Sequence, residues 1–196
     1  MTKKERTRLH IIRKSAPVLN RKGIAGTTIE DIMNATGLKK GGIYGHFKGK
    51  DEIVAAAYDY MARRMVDKLS EVIAPEESAE GKIKAIINFY KSFIYSEEIQ
   101  GGCPIMNFGV EVDDTNPMLT HKVSLVINQM LTDLIRVVKY GIKRGEFRPD
   151  VNATEFADMF FSVIEGAILL SKVRKTNSAM VASAKMLEAE ITRMKV

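Results

Sequence analysis

The sequence predicts an all-α protein of about nine helices, and three observations carry that prediction. Apolar residues recur at steps of three and four in segment after segment, no stretch shows convincing period-two alternation, and clusters of Gly, Pro, Asn and Asp separate the segments. The 196 residues suffice for one large helical domain or for a small domain joined to a larger one. With 45% hydrophobic and 28% charged residues the composition is that of a globular chain, neither disordered nor fibrous. No apolar run approaches the roughly 18 residues that a membrane-spanning helix needs, and the polar start MTKKERTRLH is no signal peptide. Cys103 is the only cysteine, which rules out an intramolecular disulfide and makes a cytoplasmic location, without a membrane partner, the expectation.

Residues 3 to 22 read as the first helix, with Leu9, Ile12, Ala16 and Leu19 as its stripe. Pro17 removes a backbone hydrogen bond inside it and predicts a kink, and Gly23 ends it. Thr27 and Thr28 each have a carboxylate three residues on (Glu30, Asp31), so either can form a capping box. Ile29, Ile32 and Met33 then give a short second helix one apolar stripe, which stops at Gly37, where glycine tolerates a left-handed backbone. A third helix, roughly Lys39 to Phe47, turns Ile43 and Phe47 inward one turn apart. Two short helices joined by a tight turn are the plan of a helix-turn-helix. The outer face of the second carries Lys39, Lys40, Tyr44 and His46, followed by Lys48 and Lys50, all hydrogen-bond donors. Such a face suits an acceptor-rich surface, and the major groove of DNA is one.

From Asp51 to Ile73 the pattern is one long helix, and Ala74 to Gly81 is an acidic, proline-containing loop. A helix from Lys82 to Glu98 is apolar around most of its circumference, which predicts deep burial. Gly101–Pro104 breaks the chain before a short helix, Ile105 to Val112. Asn116 then precedes Pro117, a proline placed at the first position of a helix that runs to about Arg144. Two more helices, about Thr154 to Lys175 and Ser178 to Met194, complete the chain. The expected division is a helix-turn-helix domain over 1–50 and a larger helical domain over 51–196.

Charge separates the same two parts. Residues 1–50 hold 12 Lys+Arg against 3 Asp+Glu, a net +9, whereas 51–196 hold 18 against 21, a net −3. A basic module on a near-neutral body is the footprint of a polyanion binder.

The run TTIEDIMNATGLKKGGIYGHFKGKDEI resembles the DNA-binding signature of TetR-type bacterial transcriptional regulators, with the match dense over Ile11 to Ile53. Further on, GGCPIMNFGVEVDDTNPML is similar to part of one subgroup's ligand-binding domain. The resemblance implies a homodimer that binds a palindromic operator in double-stranded DNA as a repressor, released by a small-molecule effector, with no cofactor, no metal and no enzymatic activity. It implies DNA contacts from Thr27, Thr28, Lys39, Lys40, Gly41, Gly42, Tyr44, His46 and Lys50. It also implies pairing of the last two long helices with their mates, for which the stripes offer Phe156, Phe160, Val163, Ala167, Leu170, Val181, Ala184, Leu187 and Ile191. The candidates for an effector cavity are Met61, Met65, Phe89, Phe93, Cys103, Met106, Met130, Phe161 and Glu165, whose apolar majority suggests a lipophilic or aromatic effector. The recognition helix departs from the family pattern, which usually has Ser or Thr at the place of Gly42 and a bulky or polar residue at that of Gly45. Either this helix frays until DNA orders it, or bare backbone approaches the duplex, with more dependence on DNA shape than on base contacts.

Three further readings stay open at this level. Glu165 interrupts the apolar run FFSVIEGAILL, as a hydrogen-bonded group between packed helices or as a polar anchor in a cavity. Cys103 has no neighbouring cation to activate it, and no His/Cys cluster has ligand spacing. An enzyme would have to use Cys103 with His121, or Glu111 with Glu165, and would leave the +9 segment unexplained. A regulator that activates, or that answers to a protein instead of a small ligand, is the remaining alternative.

Overall fold

The computed structural model describes residues 1–93 and 101–196, the side chain of Phe93 excepted. Among the described residues there are nine helices: α1 (Lys3–Lys22), α2 (Ile29–Thr36), α3 (Lys40–Tyr44), α4 (Lys50–Ile73), α5 (Ala79–Phe93), α6 (Pro104–Val112), α7 (Pro117–Lys143), α8 (Ala153–Arg174) and α9 (Ser178–Met194). The all-α expectation holds, and the one extended feature described is an isolated bridge between Phe147 and Lys195. The expected continuation of α5 to Glu98 falls outside the described residues.

The chain forms two compact units, neither continuous in sequence. One comprises Met1–Met65 with the described part of Glu97–Val123, and the other the described part of Val66–Ser96 with Ser124–Val196. Helices α4 and α7 each begin in the first and end in the second.

The core of the first unit is Ile11, Ile32, Ile43, Phe47 and Ile53, with Leu38, Met33 and Ile29 packed against it. Ile11 is fully buried, whereas Leu9 and Ile12 of the expected stripe are only half-buried, so α1 is rotated from its predicted face. Local chemistry sets the ends of α2. Thr28, not Thr27, is the N-cap, its hydroxyl accepting from the Asp31 amide while Asp31 accepts from the Thr28 amide. Gly37 closes the helix at φ 71°, in the left-handed region where a side chain is strained.

Helix α6 is fastened to the end of α1 by polar groups. Asn107 donates through Nδ2 to Asn20 O, Asn20 Oδ1 and Gly101 O at 3.1, 2.9 and 2.9 Å. Asn20 donates back to Gly102 O at 2.8 Å. The Glu111 carboxylate accepts the amides of Ile24 and Ala25 at 2.7 and 2.6 Å, in the turn between α1 and α2. Gly101, at φ 108°, has room for no side chain, since a methyl there would lie 2.6 Å from Asn20 O.

In the second unit α8 packs on α9 and α5 packs on α9. Ile83, Ile87, Val138, Phe156, Phe160, Ile164, Leu187 and Ile191 fill the interior. Helix α5 begins at Ala79, three residues before its predicted start, because the carboxylate of Glu146 accepts the Ala79 and Glu80 amides at 2.7 and 3.3 Å. Ser78 is the local part of this cap, its hydroxyl accepting the Gly81 amide at 2.9 Å, while the Glu146 part comes from a distant stretch that local sequence does not announce. Gly141 lets Phe147 and Ala79 close on α7, where a methyl would collide with both.

The last two helices correct the expected pairing surface. Phe156, Phe160, Ala167, Ala184, Leu187 and Ile191 are at most 5% exposed, already covered inside the chain. Their stripe is the inner face. Leu169, Leu170, Val173, Val181 and Met186 are the large exposed apolar residues of α8 and α9, and of the predicted set they include only Leu170 and Val181. Val163 is half-buried.

Candidate nucleic-acid interface

Helices α2 and α3 meet across Gly37–Leu38 as a helix-turn-helix, with Ile32 and Ile43 buried between them. The second helix is shorter than predicted, five residues against nine, and ends at Gly45. It is nonetheless formed by its own backbone: Ile43 N donates to Lys39 O, Gly45 N to Gly41 O and Phe47 N to Ile43 O.

What lies outward on this element is basic or hydroxylic. Lys39, Lys40 and Lys48 are exposed, and Tyr44 is 43% exposed with the Lys40 ammonium 5.9 Å from its ring centre. Thr28 is exposed at the N-cap of α2. Gly41 is exposed and Gly42 half-buried. His46 is half-buried, and its Nδ1 is buried without a hydrogen-bond partner among the described residues.

Two of the expected contacts are engaged inside the protein instead. Thr27 is 1% exposed and donates its hydroxyl to Gly23 O at 2.6 Å. The ammonium of Lys50 donates to Ile24 O and Thr27 O at 2.8 and 3.0 Å, tying the start of α4 to the turn before α2. Lysine looks the same in sequence whether its partner is a phosphate or a carbonyl, and only the chain's return to residues 24–27 distinguishes them.

Sequence reasoning missed Arg8. Its guanidinium lies 4.0 Å from the Phe47 ring centre and donates to His46 O at 2.6 Å and to Glu52 at 2.9 Å. One planar cation thus holds the end of α3 and the start of α4 to α1. Electrostatics in this unit follow its hydrogen bonds. Lys22, then the amide and hydroxyl of Thr28, hold the Asp31 carboxyl down to about 2. The Lys48 amide, then Arg8, lower Glu52.

The residues proposed for catalysis are not brought into a catalytic arrangement. Cys103 is fully buried while His121 is exposed, and Glu111 is committed to two backbone amides. Burial, with Cys103 and Asp59 nearby, raises the Tyr58 phenol, which packs against Phe108 at 5.4 Å. No group of three or more potential metal ligands occurs among the described residues, and no described helix is long and apolar enough to cross a membrane.

The second unit holds a mainly apolar void of about 100 Å³. Val66, Leu69 and Ile73 of α4, Tyr90 of α5, Leu134 of α7 and Phe160 of α8 are among its walls. Of the expected cavity residues, Met130 and Phe161 line this void. Met61, Met65 and Cys103 are instead buried in the first unit, with Met106 half-buried there. Phe89 stacks edge-on against Tyr90 at 5.2 Å, and Glu165 is half-buried on α8.

A basic helix-turn-helix unit and an apolar, void-containing helical unit define a helical DNA-binding regulator. The family model for "Bacterial regulatory proteins, tetR family" matches residues 11–57, and that for "Tetracyclin repressor-like, C-terminal domain" matches residues 79–187. A TetR transcriptional regulator of known structure from Chloroflexus aurantiacus is 36% identical over 100% of this chain and 98% of its own, with a TM-score of 0.95. One from Cytophaga hutchinsonii is 33% identical over the same shares, with a TM-score of 0.91. The repressor DhaR of a Mycobacterium strain is 23% identical over 88% of this chain and 86% of its own. The chain belongs to the TetR family of DNA-binding transcriptional regulators.

Proposed function

We propose that this regulator is a homodimeric repressor that holds a palindromic operator and releases it when a small apolar molecule enters the second unit. The observation that carries the reading is the pairing of an exposed donor face on a basic helix-turn-helix with an apolar void walled partly by α4, the helix that starts directly after that module. DhaR, similar along most of its length, is a repressor by name, which favours repression here.

The void bounds the mechanism. At about 100 Å³ it is smaller than the apolar cavity of roughly 150 Å³ that accepts benzene, so an effector of aromatic size or larger either pushes its walls apart or projects from its mouth beside the exposed Gln129 and Asp133. Val66, Leu69, Ser70 and Ile73 of α4 are walls, so widening the void displaces the C-terminal turns of that helix. The effector acts as an inducer only to the extent that it binds the displaced form more tightly. For dimerisation, Leu169, Leu170 and Val173 fall on one side of α8 with Gly166, an exposed apolar face where a second copy can approach closely. Two-fold pairing would set two α3 helices one DNA turn apart.

The test is binding of the purified protein to the DNA upstream of its own gene, at two salt concentrations, with the particle size measured in parallel. The reading expects a dimer, a palindromic footprint, and affinity that falls steeply with salt. A monomer, or salt-independent binding, would sink it. Operator binding that no apolar small molecule relieves would instead favour a regulator answering to a protein partner.

A further inference from the structure

Three glycines, Gly41, Gly42 and Gly45, occupy a five-residue helix and its cap, and the fold gives no reason for them. None has the left-handed backbone that excludes side chains: all three are absent from the positive-φ set, and Gly45 sits at φ −69°, ψ −13°. Nor does packing exclude a side chain. A methyl on Gly41 would meet no atom within 4 Å, and one on Gly42 would rest in ordinary contact with Leu38 at 3.4 Å. One on Gly45 would lie 3.2 Å from Gly41 O, tighter than ordinary contact, so that carbonyl would have to yield by a few tenths of an ångström. Gly101 and Gly141 behave oppositely, because the same added methyl collides with backbone or ring there.

In a helix, glycine without an internal reason is a cost, about 1 kcal/mol against alanine at each interior position. The position of the three is informative. At about 100° per residue they fall within one arc of roughly 100°, on the side of α3 opposite Ile43 and Phe47, which face the core. Tyr44 and Lys40, both exposed, follow on one side of that arc, about 60° and 100° from its Gly41 edge.

We infer that Gly41, Gly42 and Gly45 are specificity-determining residues kept bare for the duplex: on this arc the DNA comes closer to the α3 backbone than a Cβ permits. The inference rests on the DNA-binding role of α3. Bare backbone cannot read base edges with side chains, so direct readout falls to Lys40 and Tyr44 beside the arc and the rest to the shape of the groove.

The experiment starts with selection of duplexes from a pool of randomised sequence by the wild-type protein. The enriched duplex and an unrelated duplex of equal length are then titrated against wild type, Gly41→Ala, Gly42→Ala and Gly45→Ala, and each melting temperature is recorded. The expected result is that Gly41→Ala and Gly42→Ala melt at or above wild type, by about 1–3 °C, as a relieved helix penalty predicts. Affinity for the enriched duplex should nevertheless fall by about tenfold or more, as overpacking a close contact does. Affinity within twofold of wild type would overturn the inference, and so would a clear drop in melting temperature, which would mean that the fold itself needs the glycines. Enrichment of no sequence by wild type would overturn the DNA-binding role of α3 and this inference with it, whereas enrichment without any effect of the substitutions overturns the inference alone.

Discussion

The two units are held together differently. In the first, polar side chains reach across long stretches of sequence to backbone groups: Lys50 to Ile24 and Thr27, Arg8 to His46, Asn107 to Asn20 and Gly101, Glu111 to Ile24 and Ala25. In the second, Glu146 and Asn177 likewise reach the backbone of Ala79, Glu80 and Lys91, but a mainly apolar void remains among α4, α5, α7 and α8. Hydrogen bonds to backbone are directional and tolerate little displacement, whereas apolar contact is non-directional and lets helices shift. A reader of DNA needs fixed geometry, and a receptor that takes in a molecule needs walls that move. The contrast fits that division of labour, and five substitutions bear on it.

The largest effect is expected in the small core of the first unit. Ile43→Ala, at a fully buried site, should lower unfolding stability by about 2–5 kcal/mol in urea denaturation. Met130→Ala, which trims a half-exposed wall of an existing void, should cost about 1 kcal/mol or less. Equal losses at the two sites would erase the contrast.

Glu111→Ala comes next. It strips the acceptor from two amides and should cost about 1–2 kcal/mol, while amide exchange at Ile24 and Ala25 accelerates. Unchanged exchange at those two amides would show that water replaces the carboxylate and that the latch is dispensable.

Gly141→Ala probes whether the second unit is loose throughout. The added methyl meets Phe147 and Ala79, so a loss of about 1–3 kcal/mol in melting experiments marks this end of the unit as tightly packed. No loss would extend the slack of the void to the Phe147 side.

The smallest effect concerns acid. The folded Asp31 carboxyl lies at about 2, below the ordinary 3.8, so its contribution to stability is complete above 3.8 and is lost as pH falls towards 2. Acid titration of Asp31→Asn should therefore show a shallower loss of stability across that window than wild type. Superimposable curves would mean that the Lys22 and Thr28 contacts do not favour the charged form.

Much of this was legible in the residues because it is local. The Thr28–Asp31 capping box spans three residues, Gly37 marks its own turn, and Pro117 opens its own helix, so each signal lies beside the structure it produces. The errors fall where the partner lies far away in sequence. Helix α5 gains a second cap from Glu146 beside the local one from Ser78, and Lys50 turns inward because the α1–α2 turn offers it carbonyls. The pairing surface was misread for another reason. Helix α8 is apolar on two faces, and periodicity identifies a stripe without saying whether the chain itself or another copy covers it.

The sequence by itself determined the all-α class, the helix-turn-helix with its basic outer face, and the concentration of positive charge in residues 1–50. Each follows from hydrogen bonds, caps and periodicities confined to a few neighbouring residues, or from a simple sum of charges. Only the tertiary structure decided which lysine and threonine turn inward, which apolar residues of α8 and α9 remain uncovered, and which side chains wall the void. Those outcomes depend on pairs of residues brought together from distant positions, and no local pattern encodes which of two similar faces will meet a partner.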